Sequence, residues 1–307
     1  MKRGIDVNSM AEELLKLGLK YENGDGVEKD LSKAIALYKE AANRGYSVAQ
    51  TYLGQCYYDG NGVDQDFEKA AYWYGQAASQ DNPDAQYLLG LCYFFGEGVR
   101  QDHCKAADLI KKSAEQGNEY AQLRLGGYYL GGIGVPKDLE KAAEWFRKSG
   151  EQGCAEAQNS LGTCYFYGWG VQKNYESAVE WFTKSAEQGH AEAQNFLGDC
   201  YFFGYGVLKN IEKSIEWYKK AAGQDHAEAQ NNLGNCYYYG DGVVKDLDLA
   251  FEWFKKAAEQ GDSDAQYNLG CCYKDGTGVI QDDDEARKWF TMAAEQGHQD
   301  AQNELLE

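Results

Sequence analysis

No stretch of the 307-residue sequence approaches the roughly 18 uninterrupted apolar residues that a membrane-spanning helix needs, so no membrane insertion is expected. The first residues, MKRGIDVNSMAEELLKLG, hold a basic pair without an apolar run behind it, so the sequence predicts no cleavable secretory signal. We therefore expect a cytoplasmic protein. Export by a machinery that reads no cleavable signal is the alternative that such a sequence leaves open.

Positive charge is also scarce, with 30 Lys and Arg against 49 Asp and Glu and a formal net charge of −19. Such a chain repels nucleic-acid phosphates and anionic membrane surfaces, so only a local basic patch could bring it to them. Catalytic motifs are missing as well. There is no SxxK, HExxH, CxxC or P-loop, and the recurring GxG lacks the third glycine of a dinucleotide site. We expect no nucleic-acid partner, no cofactor and no enzymatic activity.

What the sequence does contain is a period of 36 residues. Stepping by 36 from Gly54 reaches a glycine every time, from Gly18 to Gly270, and each is preceded by Leu and followed three residues later by Tyr. After an N-terminal extension and helix cap at 1–12, eight units follow without insertion or deletion, and 301–307 starts a truncated ninth helix. The units are 13–48, 49–84, 85–120, 121–156, 157–192, 193–228, 229–264 and 265–300.

Each unit predicts two helices joined by a short turn. In 49–60 and in 66–78 the apolar residues recur at the three- and four-residue spacing of one helix face. Asp66 is a natural N-cap for the second helix, and Asp or Asn stands there in every unit. Gly60 predicts a left-handed end to the first helix, and Gly62 a tight reversal. Gly54, inside the first helix, indicates close approach of the second helix.

The chain ends fit the same pattern. Ser9 and Glu12 have the spacing of a capping box, which predicts that the first helix begins there. The closing AQNELLE begins a ninth first helix. Because one unit cannot bury its own apolar face, the units must stack, which makes the expected fold an all-α solenoid.

The recurring line LGxCYxxGxGVxxDxxKAxxWYxKAAEQGxxxAQ resembles the SEL-1-like repeat, a relative of the tetratricopeptide repeat, over about 290 residues. The resemblance implies a right-handed α/α superhelical solenoid that acts as an adaptor in protein complexes without chemistry of its own. A cysteine-rich bacterial branch of the family has two disulfide-linked cysteines per repeat and has been linked to β-lactam binding. Most repeats here have a single cysteine, so the secreted, disulfide-linked form is not expected.

Cysteine and histidine suggest no further chemistry. Six of the nine cysteines form one column on the packing face of the first helices and are expected to be buried thiols, and Cys92 with Cys104 is the one pair worth checking. His190, His226 and His298 share a column with Cys154, expected in a loop between repeats. A 36-residue spacing does not bring such ligands to one ion, so no metal site is predicted.

Function is expected where the units differ from one another. By resemblance to tetratricopeptide repeats, the columns of Thr51 and Gln55 should lie opposite the packing face and line a concave groove. They place Asn159, Asn195 and Asn231 in successive repeats, with Thr163, Asp199 and Asn235 one turn further on. Amides offer both a donor and an acceptor, so this ladder is suited to the backbone of an extended peptide. A solvated polar face without a ligand is the alternative.

Aromatic residues gather at the ends of the first helices in the middle repeats. They are Phe166, Tyr167, Trp169, Phe202, Phe203, Tyr205, Tyr238 and Tyr239, whereas the terminal repeats have polar residues at these sites. One member of each doublet could be core, but Trp169 and Tyr205 stand between two turn glycines. We therefore predict a scaffold that binds a protein or peptide segment at these residues. The alternatives are a carbohydrate or small-ligand binder that uses the rings, and a β-lactam-acting enzyme. The sequence leaves the oligomeric state open.

Overall fold

The computed structural model describes residues 7–306, with side chains from Ser9 onward, and every regular element in that range is an α-helix. The chain divides into two compact units, Met1–Cys154 and Ala155–Glu307. In the first unit the helices are α1 (Val7–Asn23), α2 (Leu31–Asn43), α3 (Ser47–Asp59), α4 (Phe67–Ala78), α5 (Pro83–Phe95), α6 (His103–Glu115), α7 (Glu119–Gly131) and α8 (Leu139–Glu151). In the second they are α9 (Ala155–Tyr167), α10 (Tyr175–Glu187), α11 (Ala191–Phe203), α12 (Ile211–Ala222), α13 (Ala227–Tyr239), α14 (Leu247–Glu259), α15 (Ser263–Asp275), α16 (Asp283–Glu295) and α17 (Gln299–Glu304).

These helices confirm the predicted α/α solenoid of eight helix–turn–helix repeats. Within each unit of the chain every helix packs against the next one, so a repeat consists of an odd-numbered first helix and an even-numbered second helix. The small residues of the second helix, such as Ala70 and Ala77, and the Leu and Cys of the following first helix, such as Leu89 and Cys92, are buried together in one apolar cluster. Each repeat therefore completes its core with the first helix of its neighbour.

Local capping rules set the helix ends as predicted. Asp66 accepts a hydrogen bond of 2.9 Å from the backbone N–H of Lys69, and an Asp or Asn caps every second helix in this way. Gly60 has φ 71° and ends α3, and Gly62 has φ 73°, so both adopt the left-handed conformation that favours glycine. The predicted capping box is wrong, because α1 already begins at Val7 and Ser9 lies inside the helix.

The glycine inside each first helix marks a close helix–helix contact. A Cβ atom on Gly54 would lie 2.6 Å from the ring of Tyr74, and one on Gly234 would lie 2.7 Å from the ring of Phe254. Nothing larger than glycine fits without displacing these buried rings. This confirms the predicted approach of the second helix.

A recurring pair of glutamines, one buried and one exposed, connects adjacent helices within each unit. The side-chain amide of Gln194 donates to the backbone oxygen of Ala186 at 3.0 Å and accepts from Gln224 Nε2 at 2.8 Å. One side chain of α11 thus connects α10 to the turn that follows α12. The same 30-residue pairing recurs in both units, which explains why EQG and AQ recur in the sequence.

The six-cysteine column is buried, as predicted, and all nine cysteines are unpaired thiols, so Cys92 and Cys104 form no disulfide. The last described helix, α17, follows the eighth repeat, and its assignment as the start of a ninth first helix stays a prediction. None of the described helices is both long enough and apolar enough to cross a bilayer.

Candidate functional site

The three predicted ladder residues are buried. Asn159, Asn195 and Asn231 expose only 7%, 1% and 5% of their surface. The predicted position opposite the packing face is therefore wrong, and so is the alternative of a solvated face, because this column of the first helix turns toward the neighbouring repeat. Asn231 also lines the depression beside Phe203 and Tyr239. The part of the three asparagines in ligand binding stays a prediction.

Amides from the next repeat hold two of these side chains. Asn232 Nδ2 donates to Asn195 Oδ1 at 3.1 Å, and Asn268 Nδ2 donates to Asn231 Oδ1 at 2.9 Å. Asn195 also hydrogen bonds to the carboxylate of Glu228. The asparagines thus bridge neighbouring first helices.

Asn159 has no such partner. Phe196 stands where the later repeats have Asn232 and Asn268, so the donor that would reach Asn159 is missing. Asn159 Oδ1 is buried without a hydrogen bond among the residues that the structure describes. A buried acceptor without a partner destabilises the fold.

The second predicted column behaves differently at each of its three residues. The hydroxyl of Thr163 donates back to the Asn159 backbone oxygen at 3.0 Å and so stays within its own helix. Asp199 Oδ1 accepts from the Tyr218 hydroxyl at 2.6 Å and from Asn232 Nδ2 at 3.4 Å. Asn235 is half-buried, and its side chain makes no hydrogen bond within the described residues, so its amide is open to a ligand.

The surroundings of Asp199 disfavour the ionised form of its carboxyl group. Burial raises its pKa to about 6, the neighbouring Glu228 acts in the same direction, and the hydrogen bond from Tyr218 opposes both. Burial also raises the pKa of Glu228, with further upward contributions from Asp262 and Glu192. Negative charges therefore face one another along this part of the second unit.

A groove of about 520 Å³ lies beside this network, within the second unit. It brings together five of the predicted site residues with several that were not predicted. The predicted ones are Asn231, Asn235, Phe202, Phe203 and Tyr239. The others are Tyr218, Asn232, Cys236, Asp241, Asp264, Tyr267, Asn268, His298 and Asp300. We call this depression the groove.

The second ring of each aromatic doublet is exposed. Tyr167, Phe203 and Tyr239 expose 49%, 58% and 67% of their surface, whereas Phe166, Phe202 and Tyr238 are half-buried. This confirms the expectation that one member of each doublet is core. In both Phe202–Phe203 and Tyr238–Tyr239 the ring centroids are 4.9 Å apart in an edge-on arrangement, which fixes the outer ring while it remains accessible.

The turn residues Trp169 and Tyr205 differ in how much of their ring surface is accessible. Trp169 is exposed and stacks on Tyr167, with ring centroids 5.1 Å apart. Tyr205 stacks on Tyr175 at 5.0 Å and also contacts Phe166, so one of its faces is covered. Neither lines the groove.

Charge is unevenly distributed between the two units. Residues 155–307 contain 26 acidic and 12 basic side chains, a net charge of −14, whereas residues 1–154 contain 23 and 18, a net charge of −5. The first helices α9, α11 and α13 carry acidic residues but no Lys or Arg. Several lysines of the second helices instead lie over tryptophan rings of their own helix, as Lys220 does at 3.7 Å from the ring centre of Trp217.

Comparison with known proteins identifies the repeat. The Sel1 repeat pattern matches residues 14–46, 47–82, 83–118, 119–154, 155–190, 191–226, 227–262 and 263–298. The chain belongs to the Sel1 repeat family. Sel1 repeats generally form protein-interaction scaffolds, and this coarse role applies to the chain.

Two solved Sel1-type structures resemble this chain over nearly its whole length. One is a protective antigen present in uropathogenic Escherichia coli strains, with 36% identity, TM-score 0.85, and coverage of 98% of this chain and 67% of that one. The other is a Sel1 repeat protein from Oxalobacter formigenes, with 35% identity, TM-score 0.72, and coverage of 96% and 85%. No protein among those with curated annotation matches.

Histidines take a structural position in these Sel1 repeats that was not predicted. His190, His226 and His298 are N-caps, and in each the ring Nδ1 accepts from the backbone N–H three residues later at 3.3 Å. Burial lowers the pKa of His226. Within residues 7–306, no group of three or more His, Cys, Asp or Glu side chains is arranged to hold a metal ion.

The residues that sequence reasoning missed follow the same 36-residue period. Asn232 and Asn268 lie one position after the predicted ladder, and Glu228 and Asp264 form an acidic column at the start of the first helices. The asparagine column could have been recognised because no earlier repeat has Asn at that position, whereas the acidic column also contains Glu12 and Asp84 of the first repeats and so gives a weaker signal. Which columns face the groove depends on how each helix is rotated, and repetition alone does not give that.

Proposed function

We propose that this Sel1 repeat protein is a non-catalytic scaffold that binds an extended peptide or protein segment in the groove of residues 155–306. The observation that carries the proposal is the position of two well-exposed rings, Phe203 and Tyr239, beside the unbonded amide of Asn235 in one depression. Ordered rings supply apolar contact area at low entropic cost, and an amide can pair with a peptide backbone.

The revised geometry changes which residues should be substituted in a test. Replacing Asn195 or Asn231 would break hydrogen bonds between repeats. Weaker binding by such a variant could then result from lower stability rather than from a lost contact with the ligand. Phe203 and Tyr239 contact neighbouring rings and take no part in the amide network, so the double variant Phe203→Ala, Tyr239→Ala removes the exposed ring area and leaves that network in place. Tyr72 and Tyr120, exposed by 58% and 56%, provide a matched control pair in the first unit.

The experiment is selection of a displayed random 12-residue peptide library on the wild-type protein, followed by affinity measurement for the selected peptides. We expect at least about tenfold weaker binding to the groove variant, a change of about 1.4 kcal/mol, and unchanged binding to the Tyr72→Ala, Tyr120→Ala control. Equal loss in both variants, or no loss in either, would refute the groove as the binding site.

Carbohydrate binding is a second candidate, favoured by one observation. The stacked pair of Tyr167 and Trp169 is exposed outside the groove, and flat ring faces of this kind also suit sugars. A glycan array probed with wild type and with Trp169→Ala tests it. Glycans bound by wild type and lost in the variant would support this function, and an array without hits would remove it.

A further inference from the structure

We propose that the segment bound in the groove is cationic, an extended stretch of another protein rich in lysine and arginine. Its charged groups would meet the carboxylates that line the groove, and its aliphatic or guanidinium parts would lie on the exposed rings. This inference rests on the proposed function and specifies the chemistry of its partner.

The walls of the groove carry negative charge without a matching Lys or Arg. Asp241, Asp264 and Asp300 line it and are exposed, and its lining includes neither lysine nor arginine. His298 is the one potentially basic residue there, with Nε2 3.4 Å from Asp264 Oδ1. Asp199, with its carboxylate hydrogen bonded to the lining residue Tyr218, extends the same negative region. Carboxylates without a cation of their own favour a partner that brings one.

The exposed rings are suited to the same partner. Phe203 and Tyr239 border the groove, and each is held edge-on by its inner neighbour, which leaves ring surface open. Arginine stacks on aromatic faces, and the methylene stem of lysine covers them while its ammonium group reaches a carboxylate. Rings and carboxylates that line the same groove therefore suit both parts of a basic side chain.

The same charges disfavour other partners. An acidic segment would be repelled by the groove, and a neutral apolar one would leave Asp241 and Asp264 without compensation while partly removing them from water. The net charge of −14 of residues 155–307 adds a longer-range attraction for a basic partner, and this attraction depends on salt.

The test uses three fluorescein-labelled synthetic decapeptides, in which Ser alternates with Arg, with Gln or with Glu. Fluorescence anisotropy measures their binding to the full chain at two salt concentrations. We expect the Arg peptide to bind at least about tenfold more tightly than the Gln peptide, with affinity falling as salt rises, and the Glu peptide not to bind.

Two double variants separate the groove from general attraction. Asp241→Asn with Asp264→Asn should weaken binding of the Arg peptide at least about fivefold. Glu216→Gln with Glu252→Gln, two exposed residues of the second helices, removes the same charge and should change binding less than about twofold. Equal affinity for the Arg and Gln peptides, or equal effects of the two double variants, would overturn the inference.

The outcomes also distinguish this inference from the proposed function. If library-selected peptides depend on Phe203 and Tyr239 but contain no excess of basic residues, the groove is a docking site and the cationic partner is wrong. If no peptide of any charge depends on those two rings, the proposed function itself fails.

Discussion

Replacing Asp199 by Asn should make the protein more stable at neutral pH, although it removes a well-made hydrogen bond to a charged group. The pKa of Asp199 rises from an ordinary 3.8 to about 6 because the carboxyl group is buried. A difference of this size corresponds to about 3 kcal/mol by which folding disfavours the ionised form. An amide carries no charge and keeps an oxygen for the Tyr218 hydroxyl. We therefore expect a stabilisation of about 1–3 kcal/mol at pH 7.5.

The stabilisation by Asp199→Asn should depend on pH. Because the folded-state pKa is the higher one, the folded protein binds more protons at Asp199 than the unfolded chain does between pH 4 and 6. The free energy of unfolding of the wild type therefore decreases as the pH rises through about 6. The variant has no ionisable group at this position, so its stability lacks this dependence. The advantage of Asp199→Asn should thus fall to about half at pH 5.0. The groups that face Asp199 are Tyr218 on α12 and Glu228 and Asn232 on α13.

Urea unfolding at pH 5.0 and 7.5, followed by circular dichroism, measures the effect. Transition midpoints are compared, since long repeat arrays need not unfold in one step. A variant that is less stable than wild type at pH 7.5, or equally shifted at both pH values, would refute the reasoning. Tyr218→Phe is the complementary control, because it leaves the carboxylate and removes the donor. It should destabilise by about 1–3 kcal/mol at pH 7.5, and Phe254 already occupies the equivalent position in the next repeat.

Three further predictions concern the repeat framework and use the same unfolding assay. Gly234→Ala should destabilise by about 1–3 kcal/mol through its clash with Phe254, whereas Gly75→Ala, with open space around it, should stabilise by about 0.5–1 kcal/mol. Gln194→Leu should cost about 1–2 kcal/mol because it removes the hydrogen bonds to the buried Ala186 on α10 and from the exposed Gln224 after α12, and an unchanged midpoint would show that the pair is dispensable. Burial lowers the pKa of His226, so the wild type loses stability as the pH falls below about 6.5, and His226→Asn should keep the cap and reduce that loss between pH 7.5 and 5.0.

The framework could be predicted because its rules are local and repeated eight times. An Asp or Asn before a helix, as at Asp66, needs only the next three residues to act as a cap, and Gly60 ends its helix through its own backbone conformation. Even the contact of Gly54 with the second helix lies within one repeat. Periodicity confirms such features eight times over, so the fold class followed from the sequence with little ambiguity.

The site could be predicted only in part, because it depends on contacts between repeats. The side chain of Asn195, for example, is hydrogen bonded to Asn232, which lies 37 residues further along the chain. If the helix were rotated about its axis by one residue, a different column of side chains would face the neighbouring repeat. The histidine caps were missed for another reason: capping statistics favour Ser, Thr, Asp and Asn, so His226 was assigned to a loop. The aromatic doublets were predicted more accurately, since one buried and one exposed ring is what two adjacent positions on a helix edge produce.

The second unit departs at several positions from the rules that most of the framework follows. Asp199 is a half-buried carboxylate with a raised pKa, and in the repeat before the groove Asn159 Oδ1 is a buried acceptor without a partner among the described residues. Phe203 and Tyr239, which line the groove, expose large rings to water. Each feature lowers stability or solubility, and each could be removed by a residue that this chain uses at the same position of another repeat. Local departures of this kind are expected where binding rather than folding constrains the residue. Exposed rings such as Tyr72 and Tyr120 and a buried hydroxyl without a partner in the described part of the chain, that of Tyr128, also occur in the first unit. The groove differs because its exposed rings share one depression with carboxylates and the unbonded amide of Asn235, and this combination supports the proposed site.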